Sequence, residues 1–497
     1  MERLAQLDHR FVWHPFTQMR DWLKREPIII ESGNGATLRD TKGREYLDAN
    51  SSIWTNLHGH NHPKLNSAIA RQLKKIAHSS ALGFANEPAS LLAEQLVNVA
   101  NPGRIYDLRF SLDAHKNSSA RPSSIVNSKL QKVFFSDDGS TALEVALKLA
   151  YEFTRRTRGP NSRPKCLSLE GAYHGDTTGA VSLGHIDLFH KAYSGLLFKT
   201  DKVPAPCCYR CPFNRAKPER ADARQTRKCN WECVNAVEKK FSAQKKRGNP
   251  YAAFVFEPLM QGAAGMIAQP EGWLARVAKI AREHGALLIA DEVMTGFGRT
   301  GVGKSEIGNR ESNILFASHH EGVQPDFLCV AKGLTGGYLP MAATLTTQTV
   351  FDAFLGKYEE FKTFFHGHSF TGNQLGASSA LASLEILQTE NSIRARRNLE
   401  AHLREQLQTL WTLPNVGDIR QVGLVAGIEL VRDWKTREPF DWRERAGIRV
   451  CEAMAKRGVL TRPVGNVIVI MPPYCTTAAQ ARKIMAATRD SIREIFE

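Results

Sequence analysis

Two charged residues stand directly beyond apolar runs of the sequence. Asp291 follows the run 287–290, and Lys332 comes two residues after the run 327–330. A carboxylate that ends a buried strand is costly unless it meets a cation, and a protonated pyridine nitrogen is one such cation. Burial lowers the pKa of an amine, which frees its lone pair for Schiff-base chemistry. The ordinary alternatives are a structural ion pair or nucleotide-site acid for Asp291, and a surface lysine that reaches solvent for Lys332.

Two further motifs have the residue types of an anion-binding turn and of a stacking platform. Gly139 and Ser140 stand between a predicted strand and a predicted helix, where their N–H groups and the helix dipole favour an anion. Tyr173 follows the predicted strand Cys166–Leu169, at a place where an aromatic ring can stack on a flat cofactor. An ordinary helix cap and an ordinary packed turn remain open as the alternatives.

The elements that would position these residues alternate between strand and helix. Apolar, β-branched runs predict buried strands at 133–135, 166–169, 253–256, 287–290 and 327–330, and helical patterns occur at 141–151, 273–284 and 376–388. This alternation is typical of an α/β fold with a mostly parallel sheet, whose sites lie beyond the carboxyl ends of the strands. The stretch after about residue 390 predicts a smaller second domain, with sheet signals at 418–430 and 460–471.

Three stretches have other interpretations. Gly298–Ser305 fits the expression of a P-loop, but it is separated from the preceding strand and no helix is predicted after it, so ATP binding is not expected. Ser111–Gln131 is polar with little periodicity, and Gly303–Gln324 is similar and carries His319 and His320. Both are predicted to be surface insertions.

Four cysteines form two closely spaced pairs. Cys208 and Cys211 are separated by two residues, and Cys229 and Cys233 by three, which are spacings that can hold zinc or an iron–sulfur cluster. The surrounding stretch is basic and contains several prolines, as a surface loop would. A cluster of reduced cysteines is the simpler interpretation, so no metal is expected.

The composition is that of an ordinary globular protein. The chain has 497 residues, 42% hydrophobic and 23% charged, which excludes disordered, collagen-like and disulfide-stapled chains. The net charge of +16 comes from basic residues mixed with acidic ones, a pattern that favours solubility and anionic small substrates over a nucleic-acid partner. The sequence predicts neither a membrane-spanning helix nor a signal peptide. Nine cysteines without an export signal predict a reducing, cytoplasmic setting.

Taken together, the anion turn, the stacking aromatic, the strand-end aspartate and the strand-end lysine resemble those of a pyridoxal 5'-phosphate (PLP) enzyme of fold type I. The strings 287–301 and 331–337 are similar to those of class III aminotransferases. Further strings resemble the biotin-pathway branch of that class over nearly the whole chain, and these are Trp13–Met19, Ser51–Trp54, His58–Pro63, Phe365–Asn373 and Thr461–Gly465.

The resemblance implies an architecture and a set of cofactor-binding residues. It implies a large PLP-binding domain at 52–389, with a mostly parallel mixed sheet between helices, and a small α/β domain built from 1–51 and 390–497. In this family pattern, the cofactor residues are Lys332, which carries PLP and moves the proton, Asp291 at the pyridine nitrogen, Tyr173 beside the ring, and Gly139 and Ser140 at the phosphate.

The remaining implied residues belong to the substrates and to a second copy of the chain. The resemblance implies a homodimer with shared active sites, in which His368 and Ser369 of the partner subunit reach the phosphate and Gly367 lies beside the substrate. Trp54 would line the substrate pocket together with Tyr173 and Lys332. Arg462 would pair with a substrate carboxylate, which suits its fork-shaped donor.

The implied activity is amino transfer to 8-amino-7-oxononanoate, which gives 7,8-diaminononanoate, with S-adenosylmethionine as amino donor. Phe16 stands where adenosylmethionine users often carry tyrosine, and a lysine-using branch also has phenylalanine there. Lysine as donor, or another class III ω-aminotransferase activity, is therefore the alternative. A decarboxylase or racemase on the same fold, and a nucleotide- or zinc-dependent nucleic-acid protein, are the competing classes.

Overall fold

The computed structural model describes residues 2–101, 130–304 and 311–497. The first part of the chain holds a three-stranded antiparallel sheet and five helices. The strands are β1 (Ile30–Asn34), β2 (Thr37–Asp40) and β3 (Glu45–Asp48). The helices are α1 (Arg3–Phe11), α2 (Met19–Trp22), α3 (Ser51–Trp54), α4 (Pro63–Lys75) and α5 (Glu87–Val99).

A seven-stranded sheet forms the centre of the molecule, in the order β4-β14-β13-β10-β7-β5-β6. The strands from 130 to 347 are β4 (Leu130–Ser136), β5 (Cys166–Leu169), β6 (Asp201–Val203), β7 (Ala253–Phe256), β8 (Met260–Gln261), β9 (Ile267–Ala268), β10 (Leu287–Asp291), β11 (Gly303–Lys304), β12 (Glu311–Ser312), β13 (Phe327–Val330) and β14 (Ala342–Thr347). Within the sheet only β14 runs antiparallel to its neighbours. All residues of β5, β7 and β13 are buried, as expected for parallel strands covered on both faces.

Helices connect and cover these strands. They are α6 (Gly139–Arg158), α7 (Thr178–Leu183), α8 (Asp187–His190), α9 (Glu232–Lys246), α10 (Trp273–Glu283), α11 (Gln348–Asp352) and α12 (Gln374–Leu387). The start of α6 is fixed by a capping box, in which the Asp138 carboxylate accepts from the N–H of Thr141 at 2.9 Å. One face of α6, including Leu143 and Ala146, is buried in the core. The turn after β4 is therefore held rigidly at the edge of the sheet.

The C-terminal part packs three helices against a second sheet. The helices are α13 (Glu390–Gln408), α14 (Ala446–Lys456) and α15 (Ala478–Phe496). The sheet consists of β15 (Val416–Val422), β16 (Val425–Asp433), β17 (Glu438–Pro439), β19 (Pro463–Val464) and β20 (Val467–Ile470). Between them in the chain lies β18 (Val459–Leu460), which belongs to the sheet of β1, β2 and β3. β18 pairs in parallel with β3, so the two ends of the chain share one sheet. This pairing supports a joint small domain, although the limits 1–51, 52–389 and 390–497 stay a prediction.

Of the two predicted surface insertions, one needs correction and the other lies mostly outside the described residues. The prediction for Gly303–Gln324 is wrong for its second half, because 315–318 is buried. There the N–H groups of Ala317 and Ser318 donate to the buried carboxylate of Glu292, at 2.7 and 2.8 Å, and a buried charge needs such donors. Of Ser111–Gln131, residues 111–129 lie outside the described residues, and the last two belong to β4.

Among the described residues, no helix combines the length and the apolar character that crossing a membrane requires.

Candidate active site

The carboxyl ends of β10 and β13 bring the predicted aspartate and lysine to one edge of the central sheet. The two strands pair in parallel, with Asp291 opposite Cys329, and Lys332 begins a short 3-10 turn just beyond β13. The backbone of Lys332 has φ +44°, an uncommon angle for a residue with a side chain. Both side chains line one cavity, together with Trp54, Asp138, Gly139, Ser140, Tyr173, His174, Gly175, Glu257, Ala263, Val293, Met294 and Thr295.

The carboxylate of Asp291 is fixed by a buried histidine. His174 Nδ1 lies 2.7 Å from Asp291 Oδ2, and Asp291 Oδ1 accepts from the N–H of Val293 at 3.1 Å. Burial alone would lower the pKa of His174, but the hydrogen bond and the charge of Asp291 raise it above its usual value. The hydrogen bond between His174 and Asp291 therefore holds the buried carboxylate in one orientation.

The amine of Lys332 has no carboxylate partner among the described residues. Its Nζ lies 4.8 Å from the centre of the Trp54 ring, within reach of a cation–π contact. Burial lowers the pKa of Lys332, and the negative charges of Asp291 and Glu257 oppose this shift in part. The amine is thus easier to deprotonate than a surface lysine, which is the property that a nucleophile or base requires.

Glu257 is a site residue that the sequence analysis missed. It comes directly after β7, where its two oxygens accept from the N–H groups of Tyr173 and Gly262 at 3.3 and 2.8 Å. Burial raises its pKa to about 7. The signal was available, because an acid directly after an apolar strand is the same pattern that marked Asp291.

The predicted anion turn is a tight cradle that excludes larger side chains. A Cβ atom at Gly139 would lie 2.7 Å from Val293 Cγ1, and one at Gly175 would lie 2.0 Å from Ser140 Oγ. Ser140 Oγ accepts from the N–H of Asp176 at 3.1 Å, which ties the turn to the loop after β5. The first N–H groups of α6 face this cradle, and the positive end of the helix dipole adds to their pull on an anion.

Tyr173 lines the cavity and also contacts residues at its rim. Its hydroxyl donates to Asp176 Oδ2 at 2.7 Å, and its pKa is raised by burial and by this bond. Phe189 packs edge-on against Tyr173, with ring centres 6.1 Å apart, and Phe16 packs edge-on against Phe189 at 5.3 Å. Phe16 itself is 60% exposed and does not line the cavity.

Four other predicted residues also lie outside the cavity of the single chain. Gly367, Ser369 and Arg462 are exposed. His368 Nδ1 lies 3.3 Å from the carboxylate of Asp137, close to the anion turn, and the carbonyl oxygen of Ser369 accepts from His78 at 2.9 Å. One chain therefore brings together Lys332, Asp291, Tyr173, Gly139, Ser140 and Trp54, but not Phe16, Gly367, His368, Ser369 or Arg462.

The four cysteines of the two pairs converge elsewhere. They line a second cavity together with Pro206, Asn214, Arg227, Trp231 and Pro270. None of the nine cysteines is in a disulfide. In the described part of the chain, no group of three or more His, Cys, Asp or Glu side chains is arranged to hold a metal ion.

The decisive comparison is with protein families. The model of the family described as aminotransferase class-III matches residues 19–492. The chain belongs to the class III aminotransferases. The family resemblance is thus confirmed, and with it the enzyme class and the α/β fold of PLP-dependent transferases of type I.

Several relatives of this aminotransferase match over their whole length. The adenosylmethionine-8-amino-7-oxononanoate aminotransferase of Geobacter sulfurreducens is 44% identical, over 99% of this chain and 98% of its own. The crystal structure of the enzyme of that name from Methanocaldococcus jannaschii has a TM-score of 0.84 at 37% identity, over 99% and 98% of the two chains. A PLP-bound amine transaminase from an uncultivated Pseudomonas species has a TM-score of 0.82 at 30% identity, over 97% and 98%.

The cofactor of this aminotransferase is PLP, and the cavity fits it. The glycine cradle at the start of α6 suits a phosphate, because it offers N–H groups and leaves room for nothing bulkier than hydrogen at Gly139 and Gly175. Asp291 offers a fixed negative charge to a protonated ring nitrogen. The buried Nε1 of Trp54 also lacks a hydrogen-bond partner in the described part of the chain, as expected beside a ligand.

Proposed function

We propose that this aminotransferase transfers an amino group from S-adenosylmethionine to 8-amino-7-oxononanoate and forms 7,8-diaminononanoate, a step of biotin biosynthesis. The observation that carries the substrate assignment is the full-length similarity to relatives of that name, at 44% identity with the Geobacter enzyme and 40% with the Methanocaldococcus enzyme. The observation that supports the chemistry is that the buried amine of Lys332 and the carboxylate of Asp291 line one cavity.

Some residues of the cavity would bind the cofactor, and Lys332 would transfer the proton. Bound PLP supplies an electron sink that stabilises negative charge on the substrate carbon. Asp291, oriented by His174, would hold the pyridine nitrogen, and the turn at Gly139 and Ser140 would hold the phosphate. Lys332 Nζ takes the proton from the carbon that bears the amino group and delivers it in the second half of the transfer, because its lowered pKa makes it a usable base.

The substrates are assigned to residues around this centre. Trp54 and Tyr173 form the walls of the substrate pocket. Arg462 binds the carboxylate of the oxononanoate, whose long apolar chain separates that charge from the reacting carbonyl. Phe16 lies at the rim, where its ring can stack on the adenine of the donor.

A second copy of the chain completes the site in this proposal. His368, Ser369 and Gly367 lie on a segment that also exposes Phe365 and Phe370, with 70% and 59% of their surface accessible. Exposed aromatic residues of this kind are typical of a face that another chain covers. We therefore propose a homodimer in which this segment reaches the phosphate site of the partner subunit.

The reducing cytoplasm is the compartment that fits this assignment. All nine cysteines are free thiols, and disulfides are rare in that compartment. Neither a nucleic acid nor a membrane is part of the proposed activity.

Lysine is the second candidate for the amino donor, and Phe16 is the observation that favours it. The phenylalanine lacks the hydroxyl that adenosylmethionine users often place at this position of the His-Pro-aromatic-Thr string. The acceptor reaction and the cofactor are the same in both cases.

A donor half-reaction tests the proposal. The PLP-loaded enzyme is mixed with S-adenosylmethionine or with lysine, without acceptor, and the visible absorbance of the cofactor is followed. We expect adenosylmethionine to bleach the band and 8-amino-7-oxononanoate to restore it. Bleaching by lysine alone would reassign the donor, and a band that neither compound changes would contradict the proposed reaction.

A further inference from the structure

The second cavity has walls of an unusual composition. Four of its nine lining residues are cysteines, namely Cys208, Cys211, Cys229 and Cys233. The other five are two prolines, an asparagine, an arginine and a tryptophan, so no carboxylate or imidazole lines it. The first pair of cysteines lies in a loop, whereas Cys233 lies in the first turn of α9. Two separate stretches of chain thus present sulfur to the same space.

The segment that carries these cysteines has no regular secondary structure and only a small buried apolar cluster of its own. Residues 204–231 join β6 to α9 without a helix or a strand. The buried apolar cluster within this segment consists of Cys208, Tyr209 and Ala223. A structureless connection of this length inside a compact domain needs an added constraint, which small modules obtain from disulfides or metals.

The same segment forms an ion pair and hydrogen bonds with the C-terminal part of the chain. Arg210 pairs with Glu429 at 2.7 Å, and Arg224 Nη2 donates to the carbonyl oxygen of Gln421 at 2.8 Å. The guanidinium of Arg220 donates to the carbonyl oxygen of Leu413 at 2.8 Å. A fixed conformation of 204–231 is therefore needed to keep these contacts with the strands β15 and β16.

We propose that Cys208, Cys211, Cys229 and Cys233 bind one Zn²⁺ ion as four thiolates, and that this ion fixes the conformation of 204–231. Pairs of cysteines separated by two to four residues are typical of structural zinc sites, and thiolate ligands select zinc over magnesium or calcium. This inference goes beyond the aminotransferase reaction and replaces the expectation of cysteines without a metal.

A positive group beside the cavity supports the charge of such a site. A zinc ion with four thiolates carries a net charge of about −2, and outer residues that donate to the sulfurs stabilise it. Arg227 Nη1 donates to Cys229 Sγ at 3.1 Å, and the same guanidinium stacks on Trp231 at 3.8 Å. This arginine is thus already oriented towards a sulfur ligand.

Binding requires a local rearrangement and no redox step. Because the four thiols are not drawn together in a metal-binding geometry, their side chains must turn inward around the ion. Each thiol loses one proton to solvent as its sulfur bonds to zinc, so four protons are released and no electron is transferred.

Zinc content measured on the intact holoenzyme tests the proposal. The reduced protein is dialysed against micromolar Zn²⁺, and bound metal is determined by elemental mass spectrometry. We expect about one zinc per chain in the wild type, a loss of that zinc in Cys211→Ser and in Cys229→Ser, and full retention in Cys207→Ser. Cys207 is the matched control, because it adjoins Cys208 but does not line the cavity.

A second measurement uses the wild type alone, in case a variant does not fold. Alkylation of the nine thiols is mapped with and without zinc, and zinc should protect the four proposed ligands and no others. It should also protect 204–231 from trypsin, which can cut after the exposed residues Arg215 and Lys228. The proposal is wrong if the reduced wild type takes up no zinc, if the serine variants bind as much, if iron with sulfide is found, or if the freshly purified cysteines are disulfide-bonded.

Discussion

At the scale of single residues, the cavity contains ionisable groups whose pKa values are shifted in opposite directions. Burial lowers the pKa of Lys332 and raises that of Glu257, whereas Asp291 raises the pKa of His174. The cavity therefore contains an amine, that of Lys332, whose charged form is disfavoured, and a carboxyl group, that of Glu257, whose charged form is also disfavoured. Such opposed shifts within one cavity are typical of sites that move protons.

Replacement of Lys332 by alanine tests the lysine directly. Lys332→Ala should lower turnover by at least about 10³-fold, because the base and the attachment point of the cofactor vanish together. The variant should still bind PLP without a covalent bond, through Asp291 and the anion turn. Borohydride reduction of the wild type, followed by peptide mapping, should label Lys332, and Lys279→Ala on the exposed side of α10 should keep full activity. Labelling of another lysine would refute the assignment.

The buried acid Glu257 predicts a pH dependence of stability. Its pKa rises from the usual 4.5 to about 7, so the folded chain binds a proton between these values that the unfolded chain has released. Stability from this group is complete below about pH 4.5 and is lost as the pH rises to about 7, by at most about 3 kcal/mol. Glu257→Gln should reduce the pH dependence of the thermal unfolding midpoint between pH 5 and 8. The control variant Glu359→Gln, at an exposed position, should leave this dependence unchanged. An unchanged slope in Glu257→Gln would show that Glu257 is ionised throughout.

At the scale of elements, the sequence located strands whose residues are all buried and mostly apolar. The predicted ranges 166–169, 253–256 and 327–330 coincide with β5, β7 and β13. β14 was missed because all of its residues except Leu345 are alanine or threonine. In that strand the hydroxyls of Thr344 and Thr346 donate to the carbonyl oxygens of Ala142 and Asp326, so their burial leaves no apolar signal in the sequence.

The same reasoning explains which site residues the sequence could place. Asp291 and Lys332 follow directly from their strands, because parallel neighbours end at one edge of the sheet. Glu257 obeys the same rule and could have been found. Arg462 and Phe16 lie on other parts of the chain, and their distance from the cavity depends on packing that no local pattern encodes.

The turn between β18 and β19 is the element that carries Arg462. Arg462→Ala should raise the KM for 8-amino-7-oxononanoate at least about tenfold, since a charged hydrogen bond contributes about 1.5–3 kcal/mol. The donor half-reaction should change far less, because neither donor places a carboxylate at that distance. Steady-state kinetics with each substrate separates the two effects, with exposed Arg394→Ala as the control. A crippled donor reaction with normal acceptor binding would show that Arg462 holds the α-carboxylate of the donor.

At the scale of the whole molecule, several predicted site residues lie at the surface of the single chain. His368 and Ser369 lie near Asp137 and His78, and neither lines the cavity. The segment 365–370 exposes Phe365 and Phe370, and we propose that this exposed face contacts another copy of the chain. A chain that needs such a segment from its neighbour is active only as a dimer.

Subunit mixing tests this shared site. Lys332→Ala and His368→Ala homodimers should each be impaired, the second through weaker retention of PLP. Mixed dimers should regain activity, because one of their two sites then combines an intact Lys332 with an intact His368. Sedimentation should show a dimer, and the control variant His402→Ala on α13 should keep full activity. An active monomer, or mixed dimers without regained activity, would rule out the shared site.

The proposed reaction moves the amino group of S-adenosylmethionine onto 8-amino-7-oxononanoate. The most direct measurement supplies adenosylmethionine with a ¹⁵N-labelled amino group, together with the acceptor and an equal amount of unlabelled lysine, and analyses the product by mass spectrometry. We expect 7,8-diaminononanoate that carries one ¹⁵N, and no product from Lys332→Ala. Unlabelled product would identify lysine as the donor, and the absence of diaminononanoate from the active holoenzyme would contradict the proposed function.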